Sequence, residues 1–201
     1  MKKFKYILPI AVAMLATTFT SCVTEDDQEI PEYNKVVFFE DFQTITTGSF
    51  NQESWVIQEE EGTKKWFSNS YNGNGYFEFS PFNSGETLNI GWLVTPNINL
   101  DEANAKRLIF KIAQHHVVDN TSNYLRVMVS TDFNGDIATA TWTEKTVKLP
   151  PVGNANNYDF FTSGVVDLSE FSGNIHIGFK AVGGTASVNA GAYQIDDIKV
   201  F

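Results

Sequence analysis

Two pairs of carboxylates interrupt apolar runs at opposite ends of this chain. Glu40 and Asp41 follow Val36-Val37-Phe38-Phe39, and Asp196 and Asp197 stand between Ile195 and Ile198. By strict two-residue alternation Glu40 falls on the side of Phe38 and Asp197 on the side of Ile195, so part of this charge points toward apolar surroundings. A buried carboxylate is costly unless it is paired, hydrogen-bonded or neutralised. Bases nearby are few, with Lys35 and Lys199 the candidates, and two like charges close together raise one another's pKa. A divalent cation answers both problems. Oxygen-only ligation without clustered Cys or His points to calcium in a structural role, held by Glu40, Asp41, Asp196 and Asp197 and stapling the first strand to the last. The alternative is a bulge or strand end that exposes the acids. The run from Asp132 through Asn134 to Asp136 also spaces oxygen ligands alternately, but without the downstream Glu and flanking helices of an EF-hand it reads as a hairpin turn.

Aromatic rings beside amides form a second constellation. Trp66, Tyr71 and Tyr76 flank Asn69, Asn72 and Asn74, and Tyr158 adjoins Asn156 and Asn157. The apolar face of a sugar ring stacks on an exposed aromatic while amides and carboxylates take its hydroxyls, so Trp66, Tyr71, Tyr76 and Tyr158 are the candidate ligand-binding residues. The competing assignment for the four tryptophans, Trp55, Trp66, Trp92 and Trp142, is packing between sheets, and for Trp92 and Trp142 it is the favoured one. Tyr71 and Tyr158 stand among turn formers and are expected at the surface.

Catalytic patterns are sparse. His115 and His116 are adjacent, and neighbours in a strand face opposite sides, so they are not expected to converge on one reacting atom. His176 alternates with Ile175 and Ile177 and is expected to face solvent. There is no Gly-x-Ser-x-Gly elbow, phosphate-cradling glycine loop or His-Glu-x-x-His site. Two carboxylates suffice for glycoside hydrolysis, which leaves a hydrolase as a remote alternative. The chain is therefore expected not to be an enzyme.

The elements that position these groups read as strands. Apolar residues recur at every second position in Leu108, Phe110 and Ile112, in Leu125, Val127 and Val129, and in Ile175, Ile177 and Phe179. Turn formers punctuate these runs at Asn72-Gly73-Asn74-Gly75, Asn83-Ser84-Gly85, Asn134-Gly135-Asp136, Pro150-Pro151 and Gly183-Gly184. The predicted fold is all-β, a two-sheet antiparallel β-sandwich of jelly-roll type with about ten strands, spanning residues 35–201 as one domain. Seventeen Phe, seven Tyr and four Trp supply its core. A net charge of −10 repels nucleic-acid phosphates, so no nucleic-acid partner is expected. With one cysteine in the chain, no internal disulfide is available.

Residues 1–21 have the three-part layout of a signal peptide: basic Met1 to Lys5, an apolar run from Tyr6 to Phe19 and small Thr20-Ser21. The apolar run is shorter than the roughly 20 residues a membrane span needs. Phe19-Thr20-Ser21-Cys22 resembles a bacterial lipobox, which implies acylation of Cys22 and a stable anchor. Residues 22–34 are polar and acidic and read as a flexible tether. Glu25, Asp26 and Asp27 resemble the surface-export signal of Bacteroidetes lipoproteins. The resemblance implies an outer-membrane lipoprotein facing the cell exterior.

Five motifs occur in a characteristic order: Trp92-Leu93-Val94-Thr95-Pro96, Val129-Ser130-Thr131-Asp132-Phe133, Thr141-Trp142-Thr143-Glu144, Val166-Asp167-Leu168, and Ile195-Asp196-Asp197-Ile198-Lys199-Val200. Together they resemble the choice-of-anchor J domains of bacterial surface proteins, related to cleaved-adhesin and MAM-like jelly rolls. The likeness covers nearly all of Val36 to Phe201. It implies a jelly roll, and a structural calcium where first and last strands meet. Jelly rolls serve many functions, so function must be argued from a site. The expectation is a non-enzymatic surface lipoprotein whose partner is an extracellular glycan, with a protein-binding adhesion or assembly module as the alternative.

Overall fold

The structure is a computed structural model that describes residues 33–153 and 158–201. Cys22, the leader, nearly all of the tether, Asn156 and Asn157 lie outside the described residues. Apart from Tyr33, the described residues belong to one compact unit, Asn34–Phe201.

Two antiparallel sheets face each other, as the alternation requires. In chain order the strands are β1 (Phe38–Glu40), β2 (Val56–Glu61), β3 (Phe67–Tyr71), β4 (Asn74–Phe79), β5 (Asn89–Val94), β6 (Ile98–Asn99), β7 (Arg107–His115), β8 (Tyr124–Ser130), β9 (Thr143–Lys145), β10 (Phe161–Thr162), β11 (Val166–Asp167), β12 (Asn174–Gly183) and β13 (Ala192–Val200). One sheet runs β10-β7-β13-β4-β3, with β1 on β13 and β11 on β7. The other runs β2-β5-β12-β8-β9, with β6 on β12. The chain passes repeatedly from one sheet to the other. Among the described residues the strands number thirteen where about ten were expected; β1, β6, β9, β10 and β11 hold only two or three residues, too few for alternation to register.

The predicted pairing of the first strand with the last occurs: β1 lies antiparallel on β13, with Phe38 opposite Val200 and Glu40 opposite Ile198. Between the sheets the inward positions of the long strands interlock. Phe77 and Phe79 of β4, Leu93 of β5, Phe110 and Ile112 of β7, Val127 of β8, Phe179 of β12 and Ile195 of β13 are sealed from solvent, with Trp55 and Trp66 beside them. The hairpin joining β3 to β4 turns through Asn72 and Gly73, both at positive φ, the requirement of a two-residue turn that matches strand twist.

Trp92 and Trp142 depart from the expectation that they fill the inter-sheet space. Trp92 sits opposite Lys180, on the outer side of its sheet, whereas the neighbouring Leu93 sits opposite Phe179 and faces inward. The two indoles lie against each other there at 4.8 Å between centroids, outside the main core cluster. Trp92 Nε1 and Lys180 Nζ both donate to Glu60 Oε2 at 2.7 Å, so the polar groups of this patch satisfy one another. Gly178 is what admits the pair. A Cβ there would lie 2.9 Å from Trp92 Cζ3 and 3.0 Å from Trp142 Cζ3. Gly178→Val is expected to cost roughly 1–3 kcal/mol through overpacking, seen as a lower melting temperature; an unchanged melt would show that the indoles yield freely.

Candidate functional site

The outer face of the seven-stranded sheet carries the residues of interest because alternation that sends Phe77, Phe79 and Ile195 inward sends their neighbours outward. Registers fix which of them adjoin. Tyr71 is opposite Asn74, Asn69 opposite Tyr76, and Phe67 opposite Glu78 across β3 and β4. Glu78 is in turn opposite Gln194 of β13. Gln194 and Asp196 are opposite Ala113 and Lys111 of β7. Tyr158 and Phe160, on the segment leading into β10, complete a groove of about 730 Å³ lined also by Asn69, Tyr71, Asn74, Tyr76, Glu78, Lys111, Gln194 and Asp196. This is within the usual size of a ligand cleft, and its mixture of rings and amides suits an amphipathic ligand.

Three of the four aromatic residues singled out from the sequence meet here. Tyr71 is 72% exposed and Tyr158 46%, while Tyr76 is 6% exposed and packs edge-on against Phe160 at 6.0 Å between centroids. Trp66 does not join them and must be corrected. It is 2% exposed, belongs to the core beside Phe79 and donates through Nε1 to Gly91 O at 3.1 Å. It precedes β3 by one residue and alternates against Phe67, so its ring faces inward while Phe67 faces out.

The polar floor is cross-linked. Asn69 Nδ2 and Gln194 Nε2 both donate to Glu78 Oε2 at 3.1 Å, holding that carboxylate at the centre of the groove. Asn74 Nδ2 donates to Asp196 Oδ2 at 2.9 Å, and Gln43 Nε2 donates to Asn74 Oδ1 at 2.9 Å. Burial, and next the carboxylate of Glu78, raise the pKa of the Tyr76 and Tyr158 phenols, so both remain hydroxyl donors at neutral pH.

The four carboxylates of the two acidic pairs are each engaged by a partner of their own. Glu40 Oε1 accepts from Phe42 N at 2.8 Å, and Asp41 Oδ1 from Gln43 N at 3.1 Å, both closing tight turns after β1. Burial raises the Glu40 carboxyl above its ordinary range. Asp196 is 2% exposed, and burial pushes it up to about 6 against hydrogen bonds from Asn74 and from Asp197 N. Asp197 takes φ +47° at a β-bulge between Asp196 and Lys199, and its Oδ2 pairs with Lys111 Nζ at 2.5 Å. Its side chain thereby leaves the inward position that unbroken alternation gives it. Among the described residues no three His, Cys, Asp or Glu are grouped so as to hold a metal ion. The carboxylates of these acids are thus neutralised or hydrogen-bonded by protein groups.

The histidines also differ from expectation. His115 ends β7, and His116 takes φ +58°, which breaks the strand alternation and brings the two rings together. Their Nδ1 atoms lie 2.8 Å apart, and Tyr158 stacks on His115 at 4.0 Å between centroids. His176 is half-buried against Phe133, with Nδ1 at 2.9 Å from Thr95 O.

Glu78, Gln194, Lys111 and Phe160 were not singled out from the sequence. A signal existed for the first two: Tyr76 and Glu78, and Gln194 and Asp196, are polar positions two apart inside strands whose intervening residues are apolar. Which of the face's strands adjoin is a matter of long-range pairing, so the signal did not say that they share a groove.

Residues 67–201 match the family described as Domain of unknown function (DUF5017). The fold is similar to the K1 cleaved adhesin domain of Lys-gingipain from Porphyromonas gingivalis W83, at 19% identity and TM-score 0.55 over 82% of this chain and 96% of that chain. The K3 cleaved adhesin domain of the same protein is 18% identical at TM-score 0.53, over 83% of this chain and 99% of that chain. At such identities the likeness is one of fold, an adhesin-like β-sandwich. No curated protein matches the sequence.

Proposed function

The chain belongs to the DUF5017 family, and we propose that its domain binds an extracellular glycan along the outer face of the seven-stranded sheet, without chemistry. The observation that carries this reading is the convergence of Tyr71, Tyr76, Tyr158 and Phe160 with Asn69, Asn74, Glu78 and Gln194 in one groove. Rings offer stacking surface, while amides, phenols and the Glu78 carboxylate offer donors and acceptors to hydroxyls. We place the protein at the outer membrane through acylated Cys22, facing the exterior, in keeping with its leader.

Binding is favoured over hydrolysis because the groove's two carboxylates do not form a free pair. Asp196 is sealed from solvent with both oxygens accepting internal hydrogen bonds, and Glu78 Oε2 accepts from two amides. A general acid needs reach to the leaving oxygen, which a sealed carboxyl lacks. The charge also sets a preference. The carboxylates of Glu78 and Asp196 line the floor, and among the described residues the ammonium of the lining, Lys111, is paired with Asp197. Neutral glycans are therefore expected over uronic or sulfated ones.

A glycan array with the unit Asn34–Phe201 tests this reading. Neutral glycans are expected to bind, with no released sugar product on prolonged incubation. Tyr71→Ala and Tyr158→Ala are each expected to weaken binding about tenfold by removing a stacking surface, with the melting temperature of Tyr71→Ala unchanged because that ring is exposed. Binding of no glycan, with capture of a defined protein partner instead, would overturn the proposal in favour of an adhesion module.

A further inference from the structure

We infer that the binding track continues past Tyr158 into a second subsite built on His115, His116 and Phe82, so that the ligand is a linear oligosaccharide rather than a single terminal sugar. This rests on the proposed glycan reading of the first groove. A further hollow of about 350 Å³ is lined by Ser80, Phe82, His115, His116, Tyr158, Ser187, Ala190 and Ala192. Tyr158 lines both hollows, and so stands between them as a shared wall.

The registers show that the hollows succeed one another along a single sheet face. Asp196 opposite Lys111 lies in the first; Gln194 opposite Ala113 comes two residues on; Ala192 opposite His115 lies in the second. Two residues advance a strand by roughly 6.6 Å, so the face from Lys111 to His115 runs roughly 13 Å, longer than one sugar ring spans. On the neighbouring strand Tyr76 and Glu78 lead in the same direction to Ser80. At the row of Gln194 the outward position on β7 is Ala113 and at the row of His115 the one on β13 is Ala192, both buried, so a ligand that spans the two hollows crosses over Tyr158, the wall they share, and not over the sheet itself.

The second hollow repeats the chemistry of the first in other residues. Phe82 is 59% exposed and offers a stacking face. The hydroxyls of Ser80 and Ser187 and the imidazole of His116 add polar groups to this hollow. The 2.8 Å contact between the Nδ1 atoms of His115 and His116 makes one ring the donor and the other the acceptor, which holds the two rings together. The stack of Tyr158 on His115 then fixes the ring that both hollows share.

The test is a length series, from disaccharide to hexasaccharide, of neutral cello-, xylo- and manno-oligosaccharides, titrated by calorimetry against Asn34–Phe201 and its variants. If the track is continuous, affinity rises with length by about tenfold or more between the shortest and longest members. Phe82→Ala then reduces the affinity of the hexasaccharide to that of the disaccharide and leaves disaccharide binding unchanged, since Phe82 lies outside the contact that links His116 through His115 to Tyr158. A hexasaccharide that binds no tighter than a disaccharide, or is indifferent to Phe82→Ala, overturns the second subsite and leaves the first groove's function standing. Failure of every series at every length overturns both.

Discussion

Replacing Trp66 with alanine is expected to destabilise the domain by roughly 3–5 kcal/mol, the usual cost of deleting a large aromatic side chain from a packed interior. For a domain of this size that is a fall of roughly 6–20 °C in melting temperature. The indole is 2% exposed, packs at 5.8 Å from the ring of Phe79 and spends its Nε1 hydrogen on Gly91 O, between strands of opposite sheets. Gly91 itself packs directly on that ring, since a Cβ there would lie 2.6 Å from Phe79 Cε2. The same variant, held well below its own melting temperature, is expected to bind glycan as the parent does. A Trp66→Ala protein that melts normally but fails to bind would return Trp66 to the binding surface and contradict the packing described above.

The second large effect is a pH dependence carried by Asp196. Burial raises its pKa from the ordinary 3.8 to about 6 in the folded protein. Between those values the folded state holds a proton that the unfolded chain has released, so stability falls as pH rises through this window. Below about pH 4 both states are protonated and the effect is absent; above about pH 6 it is complete, and on the order of 3 kcal/mol. The groups acting on Asp196 are Asn74 from β4, Lys111 from β7 and Asp197 on its own strand. Asp196→Asn removes the titration while keeping a side chain of the same shape. Denaturant melts at intervals from pH 4 to pH 7 are expected to show the parent losing stability relative to the variant by roughly that amount. Comparison of the two cancels Glu40, whose raised pKa acts in the same direction in both. A difference between the two proteins that does not change with pH would mean that Asp196 is ionised throughout.

The buried charge of Asp196 and the glycan preference are connected. The carboxylate holds Asn74, Asn74 accepts from Gln43, and Asn74 lies opposite Tyr71 in the groove. A solvated acid would leave that floor free to rearrange, whereas a sealed one keeps it prearranged for a ligand. The bulge at Asp197 supports the same end. By turning Asp197 out to Lys111 it takes the groove's ammonium out of play, which leaves an anionic face suited to neutral hydroxyl-bearing ligands.

Periodicity alone determined that this chain forms two antiparallel sheets, because alternate apolar side chains can be buried only if each strand turns one face to a partner layer. The Asn72-Gly73 turn was equally local, since positive φ at both positions is a property of those two residues. Short strands escaped notice, having too few residues to show a period. The exposed tyrosines were readable from their turn-forming neighbours, and Tyr71 and Tyr158 indeed line the groove. Only the tertiary structure decided which tryptophans are interior. Trp66 and Trp92 are both nearly sealed, one between the sheets and the other beneath Trp142 on an outer face, and this depends on strand register and on what covers that face. The association of Glu78, Gln194 and Lys111 with the tyrosines likewise arises from pairings across up to 116 residues of chain, a distance over which no local pattern carries information. The joining of His115 to His116 follows from one left-handed residue that ends a strand, a backbone choice made by the packing around it rather than by the histidines themselves.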